Sequence, residues 1–219
     1  MMKQIGMMGI PVALAFAWFL IPALCSSQNT FEFVINSKMP VMEFRLIWND
    51  DPQYKVVQKI EVRRKGSPEL LQILDARMDE QPVKTQSDYF NAEDINFDGY
   101  KDIKLQIMWG ATGNRIFDFY LFDPNIGKFS FSPSFSTLLN PIPNPERKEL
   151  EVFWTGGMGG NIYSRQTFKV IGNRPVLLRE EVQNWNKEES CFIKIVKERR
   201  NNELIVIKEE KIPAPEWKN

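Results

Sequence analysis

The stretch Asp94-Ile95-Asn96-Phe97-Asp98-Gly99-Tyr100-Lys101-Asp102 places oxygen-bearing side chains at its first, third, fifth and ninth positions and glycine at its sixth. That spacing suits a hard cation. Four side chains can wrap one ion, the glycine permits the sharp turn between them, and the Tyr100 backbone carbonyl adds another oxygen. The expectation is a structural calcium ion (Ca2+) held by Asp94, Asn96, Asp98, Tyr100 and Asp102. An EF-hand would place a bidentate Glu at the twelfth position, but Leu105 stands there, and Ile103-Lys104-Leu105-Gln106-Ile107-Met108-Trp109 alternates as a strand. A loop that leads into a strand is therefore expected, with Asp102 supplying the later carboxylate. The same residues would also serve as a plain Asp/Asn/Gly turn between two strands.

A second constellation is Thr155-Gly156-Gly157-Met158-Gly159-Gly160-Asn161-Ile162-Tyr163-Ser164, a loop with four glycines that follows a strand ending at Trp154. Such a loop can adopt unusual dihedrals and project from a rigid sheet. It is no phosphate cradle, because Arg165-Gln166-Thr167-Phe168-Lys169-Val170 alternates as a strand and the Lys-Ser/Thr of a P-loop is missing.

An enzyme is not expected. The chain contains no His, which removes the commonest general base, the Ser-His-Asp and Cys-His arrangements, and most zinc chemistry. Cys191, within the apolar run Cys191-Phe192-Ile193, reads as a small buried hydrophobe. Carboxylate pairs such as Asp79-Glu80 and Glu93-Asp94 lack anything to bring two of them to a glycosidase separation. The mixed-charge runs Arg179-Glu180-Glu181 and Lys197-Glu198-Arg199-Arg200 read as solvated strand faces. Trp48, Trp109, Trp154 and Trp185 sit at strand ends, where core packing explains them better than a carbohydrate platform.

The elements that must position these loops are strands. Short runs of Val, Ile, Phe, Tyr and Trp alternate with Pro, Gly, Asn and Asp clusters, which predicts an all-β chain of antiparallel strands in a sandwich or propeller-like arrangement. The expected strands are 31–36, 42–48, 56–63, 70–74, 103–109, 116–122, 128–131, 149–154, 163–171, 176–185, 191–197 and 204–208. Asp123-Pro124-Asn125-Ile126-Gly127 reads as a hairpin turn, and 132–145, rich in Ser, Pro and Asn, as a connecting loop that holds the weakest internal boundary. The polar tail from Lys208 onwards is expected to fray.

Lys3, the apolar stretch from Ile10 to Leu24 and the small residues Cys25, Ser26 and Ser27 read as a secretory signal peptide over 1–27, leaving 28–219 as a single all-β domain. Pro11 and Pro22 interrupt the apolar stretch, and no later segment is long and apolar enough for a transmembrane span. A lipid anchor on Cys25 would call for a small residue before it, where Leu24 stands, so simple cleavage after Cys25 or Ser27 is expected. Formal net charge is +0 with basic and acidic residues interleaved, which leaves no electrostatic footprint for nucleic acid.

Two resemblances sharpen these readings. The Asp94 to Asp102 segment resembles the calcium loops of FG-GAP type β repeats, although it occurs once. Across roughly 88–185, the order of features resembles the periplasmic immunity proteins of bacteria-killing type IV secretion systems. The matching parts are the Asp loop, the Tyr120-Leu121-Phe122-Asp123-Pro124 hairpin, the Ser/Pro segment, the glycine loop ending at Tyr163, and Thr167-Phe168-Lys169 with Val176-Leu177-Leu178. Such proteins inhibit lysozyme-like peptidoglycan hydrolases, and their protruding loop resembles the Ser-Gly-x-x-Tyr motif of other lysozyme inhibitors. Here Gly159-Gly160-Asn161-Ile162-Tyr163 keeps the glycine and the tyrosine, while Gly159 replaces the serine. The resemblance implies an inhibitory loop of Thr155, Gly156, Gly157, Gly159, Gly160, Asn161, Tyr163 and Ser164. Tyr163 would meet a catalytic carboxylate, and Thr155 or Ser164 would supply the missing hydroxyl. The rival reading is a calcium-stabilised β domain for envelope adhesion or assembly.

Overall fold

The computed structural model describes residues 29–51, 56–76 and 89–215. The expected signal peptide, Cys25 and the Asp79-Glu80 pair lie outside the described residues. Those described fold into three antiparallel sheets taken in chain order. The first holds β1 (Thr30–Phe33), β2 (Met42–Trp48), β3 (Val57–Arg64) and β4 (Leu70–Asp75). The second holds β5 (Phe90–Glu93), β6 (Asp102–Trp109), β7 (Arg115–Asp123) and β8 (Lys128–Phe131). After a single helical turn, α1 (Pro133–Ser136), the third sheet holds β9 (Ile142–Asn144), β10 (Glu149–Thr155), β11 (Tyr163–Ile171), β12 (Arg174–Asn186), β13 (Cys191–Arg200) and β14 (Glu203–Pro213). Each sheet is a meander of sequence neighbours, as short connections require. None closes into a barrel.

The second sheet lies between the other two and is buried on both faces. Along β7 successive side chains point to opposite sides. Tyr120 and Phe122 join Ile103, Leu105 and Phe129 in a cluster with Phe44, Leu46, Ile60 and Val62 of the first sheet. Phe117 and Phe119 join Ile95 and Phe135 in a cluster with Leu150, Val152 and Phe168 of the third. A strand with two dry faces cannot alternate apolar with polar, which is why Ile116-Phe117-Asp118-Phe119-Tyr120-Leu121-Phe122 is almost unbroken in aromatic and aliphatic residues. Ring pairs fill the first interface, Phe44 with Phe129 at 5.6 Å and Phe122 with Phe129 at 5.0 Å between centroids.

Side chains also tie the sheets together along their edges. The Gln72 carboxamide on β4 donates to the Phe129 carbonyl at 2.7 Å and accepts from the Phe129 amide at 2.9 Å, so it takes the place of a missing ladder strand beside β8. The Tyr120 hydroxyl on β7 donates to the Asp75 carbonyl at 2.7 Å.

Four sequence expectations are revised. The 132–145 segment is not a plain loop: Phe135 of α1 is fully buried, and β9 pairs with β10. The tail does not fray at Lys208, since β14 runs on to Pro213 against β13. The first strand ends at Phe33 and not Asn36, because Asn36 turns away to donate from its carboxamide to the Gly99 carbonyl at 2.8 Å. Cys191 is half-buried at the start of β13, not core.

Phe119 is fully buried between the second and third sheets, whereas Ile142 on the outer strand β9 is 61% exposed. Phe119→Ala should cost about 3–5 kcal/mol in a urea titration, while Ile142→Ala should leave the midpoint almost unmoved.

Candidate functional site

The structure places the Asp-rich segment as expected, as the loop from β5 into β6. Gly99 sits at φ +89°, a conformation that would strain any other residue. The loop is built on its own side chains. The two Asp94 carboxylate oxygens accept the Asp98 and Gly99 amides at 3.0 and 2.9 Å. Asp98 accepts the Tyr100 amide at 2.8 Å and the Asn96 carboxamide at 2.8 Å. Asp102, with 0% of its surface exposed, accepts the Ile95 amide at 3.1 Å and the Phe122 amide at 2.9 Å, so one carboxylate joins the loop to β7. Burial pushes the Asp102 carboxyl up to about 8, and the charges of Asp98 and Asp94 push the same way against the two amides. Burial likewise raises Asp94.

The donor set of this loop, carboxylates and an amide oxygen, is that of a hard cation. Its oxygens are turned onto backbone amides, and among the described residues no three acidic, His or Cys side chains form a metal-holding group. Beside the loop opens a cleft of about 760 Å³, bounded by Asp98, Asp123, Ser132, Asn173 and Arg174.

The glycine loop lies at the far end of the third sheet's β10–β11 hairpin. Residues 157–160 are exposed, and Met158–Gly160 form one 3-10 turn. Its neck is closed by the Gly156 amide donating to the Ile162 carbonyl at 2.7 Å. A Cβ on Gly156 would come within 2.8 Å of both the Trp154 ring and the Ile162 side chain, so glycine is required at the neck for space. Met158 is 37% exposed and holds φ +56°, a left-handed conformation that costs a non-glycine residue roughly 1–2 kcal/mol. Its side chain belongs to neither core cluster. This is the feature of the loop that the sequence reading passed over.

Tyr163 stands at the base of the loop, as the first residue of β11, and not at its tip. It is half-buried, with its ring 6.1 Å from that of Phe153. Its hydroxyl donates to Glu181 Oε1 at 2.8 Å, and Lys194 Nζ lies 3.0 Å from the same oxygen. Burial and the Glu181 carboxylate raise the Tyr163 hydroxyl above its ordinary value. Against the cost of its own burial, the hydrogen bonds from Lys194 and Tyr163 hold Glu181 below the usual range. Ser164 Oγ is buried without a hydrogen-bond partner. The Asp loop and the glycine loop are thus separate features, at the β5–β6 and β10–β11 connections.

These observations define a class: a chain of three stacked antiparallel meanders with an exposed, uncharged glycine loop. The fold is similar to the structure of a Xanthomonas type IV secretion system related protein, with TM-score 0.55 and 17% identity over 82% of this chain and 98% of that chain. The superposition, at so low an identity, shows a shared fold alone. No protein family and no curated protein matches the sequence. Among the described residues, no helix is long and apolar enough to cross a membrane.

The Asp102 carboxyl gives a test of the loop in chelator-treated protein. In the unfolded chain it releases its proton near the ordinary value of about 3.9, and in the folded chain at about 8. Between those values the folded state binds the additional proton, so its stability contribution is fully present below the unfolded value and is lost as pH rises towards 8. The melting temperature of metal-free protein should therefore fall across that window, and Asp102→Asn should flatten the dependence.

Proposed function

We propose that this protein is a periplasmic inhibitor of a lysozyme-like peptidoglycan hydrolase, which it blocks by filling the active-site cleft with the glycine loop. It acts sterically and performs no chemistry of its own. The observation that carries the reading is the loop itself: exposed, free of charge from Trp154 to Ser164, strained at Met158 and mounted on a rigid hairpin. The fold shared with a type IV secretion system related protein supports it. Tyr163 braces the base of the loop through Glu181, and the entering surface is the Met158–Gly160 turn.

Lysis of purified peptidoglycan by a panel of lysozyme-like hydrolases, with and without the mature chain, tests the reading. The wild-type protein should slow at least one panel member. Met158→Gly, which keeps the left-handed backbone but removes the side chain, should weaken inhibition roughly tenfold. Tyr163→Phe should retain most of it, since the hydroxyl already serves Glu181. Lysis at full rate with every hydrolase would overturn the proposal. It would favour the adhesion reading, which the exposed Leu204, Val206 and Ile207 on β14 support.

We also propose that the Asp94, Asn96, Asp98, Tyr100 and Asp102 loop binds calcium and fixes the β5–β6 connection. Support comes from the spacing of the Asp94, Asp98 and Asp102 carboxylates, whose mutual repulsion adds to burial in raising Asp102 and which a cation would relieve. Calcium added after chelation should raise the melting temperature, and Asp98→Ala should abolish that rise. Identical melting curves with and without calcium would remove the assignment.

A further inference from the structure

The glycine loop does not stand alone at its end of the molecule. The β6–β7 turn, Gly110-Ala111-Thr112-Gly113-Asn114, reaches the same place from the second sheet. It is closed by the Gly110 amide donating to the Asn114 carbonyl at 2.8 Å and the Gly113 amide donating to the Gly110 carbonyl at 2.9 Å. From this turn the Asn114 carboxamide donates to the Thr155 carbonyl at 2.8 Å and accepts from the Thr155 amide at 3.2 Å. Thr155 is the last residue of β10 and the first of the loop, so one side chain joins a turn of the second sheet to the foot of a loop on the third. The other foot is held by Gln183, 7% exposed, whose carboxamide donates to the Asn161 carbonyl at 2.8 Å.

The residues that flank the β6–β7 turn suit contact with a partner. Trp109 and Arg115 pair across the hairpin, and the Arg115 guanidinium lies over the Trp109 ring at 4.5 Å. Trp109 keeps 38% of its surface exposed. By alternation along β7, Arg115 shares the face of Phe117 and Phe119, the face turned towards the third sheet and its loop. On the hairpin that carries the loop, Arg165 lies over the half-exposed Phe153 ring at 5.7 Å and stands opposite Glu181, which offsets its charge. An uncharged loop beside the arginine-covered Trp109 ring complements a cleft lined with carboxylates, and glycoside hydrolases work with a carboxylate pair. Tryptophan and arginine are also the residue types that most often dominate binding energy.

We propose that the β6–β7 hairpin is the second half of the interaction surface, locked to the glycine loop by Asn114, with Trp109 and Arg115 as its anchor against the carboxylate-lined cleft of a glycan hydrolase. The proposal rests on the inhibitor reading and adds a second contact element to it. Asn114 is a positioning residue, since it touches the loop and not the partner.

The test measures binding of the full mature chain to an immobilised c-type lysozyme, a phage-type lysozyme and a lytic transglycosylase. It compares wild type with Trp109→Ala, Arg115→Ala, Asn114→Ala and Met158→Gly, and records the melting temperature of each. Trp109→Ala and Arg115→Ala should each raise Kd roughly tenfold while lowering the melting temperature by only about 2–4 °C, the loss of their mutual contact, and Arg115→Ala should blunt the salt dependence of the association rate. Asn114→Ala should speed amide hydrogen exchange at Thr155 and Gly156 in the free protein and weaken binding, a local loosening that a purely global role would not give. Arg115→Gln, which keeps the alkyl stem on the ring, replaces Trp109→Ala if that variant fails to fold. If wild type binds and Met158→Gly weakens binding while the Trp109 and Arg115 variants bind as wild type, the loop acts alone. The second contact is then wrong and the inhibitor reading stands. If wild type binds none of the three enzymes, both fall together.

Discussion

The second sheet has to be dry on both faces, and the rest of the architecture follows from that constraint. Phe117 and Phe119 on one side of β7, and Tyr120 and Phe122 on the other, carry more apolar surface than a single flanking layer can cover. A sheet must therefore dock on each face, one built from the chain before it and one from the chain after it. The outer face of the first sheet is left to water. There the Arg45–Glu61 salt bridge runs between neighbouring strands, where it fixes register and solubility more than stability. The third sheet is longer than the surface it has to cover, so β12 to β14 extend beyond the core and are only partly buried.

Stacked meanders leave a problem at their edges, where backbone groups of one sheet meet another sheet without strand pairing. A buried backbone group left without a partner costs about 1–3 kcal/mol. The chain meets this twice with the same device, a carboxamide that offers one acceptor and one donor to a single residue of the neighbouring sheet. Gln72 does so for Phe129 between the first and second sheets, and Asn114 does so for Thr155 between the second and third. A carboxamide has the hydrogen-bonding geometry of a peptide group, so each acts as one rung of a ladder. The buried Asp102 carboxylate is a variation, accepting from Ile95 and Phe122 within one sheet.

Much of the fold was legible because strand alternation is local. The runs at Met42–Trp48, Tyr163–Ile171 and Cys191–Arg200 announce themselves by side-chain type, and the turns at Gly172-Asn173 and Asn201-Asn202 by residues that accept positive φ. β5 was missed because Phe90-Asn91-Ala92-Glu93 is short and half polar, and β9 because Pro143 and Pro145 read as a loop, although proline is tolerated on an edge strand. The Asp loop and the glycine loop were visible as compositions. Their energetics were not: the bond from Tyr163 to Glu181 depends on the register of β11 against β12, and the clamp from Asn114 to Thr155 spans 41 residues. No single-residue signal marks Asn114 apart from its place after a glycine turn.

Strain and rigidity at the loop belong to one argument. A chain of glycines in water samples many conformations, and a partner that bound it would have to supply the free energy of ordering them. Here the ordering is done by the fold. The Gly156 neck is packed against Trp154 and Ile162, Asn114 and Gln183 hold the two feet, and Tyr163 braces the base through Glu181. Residues that would relax the loop are excluded by contact, as a Cβ at Gly156 is, while Met158 is kept at positive φ where glycine would sit more easily. Lys148 and Ser190 hold positive φ at plain hairpin turns too, so it is the bracing of both feet, more than the backbone at Met158, that sets this loop apart. For the entering surface proposed above, the ordering cost is then met in folding.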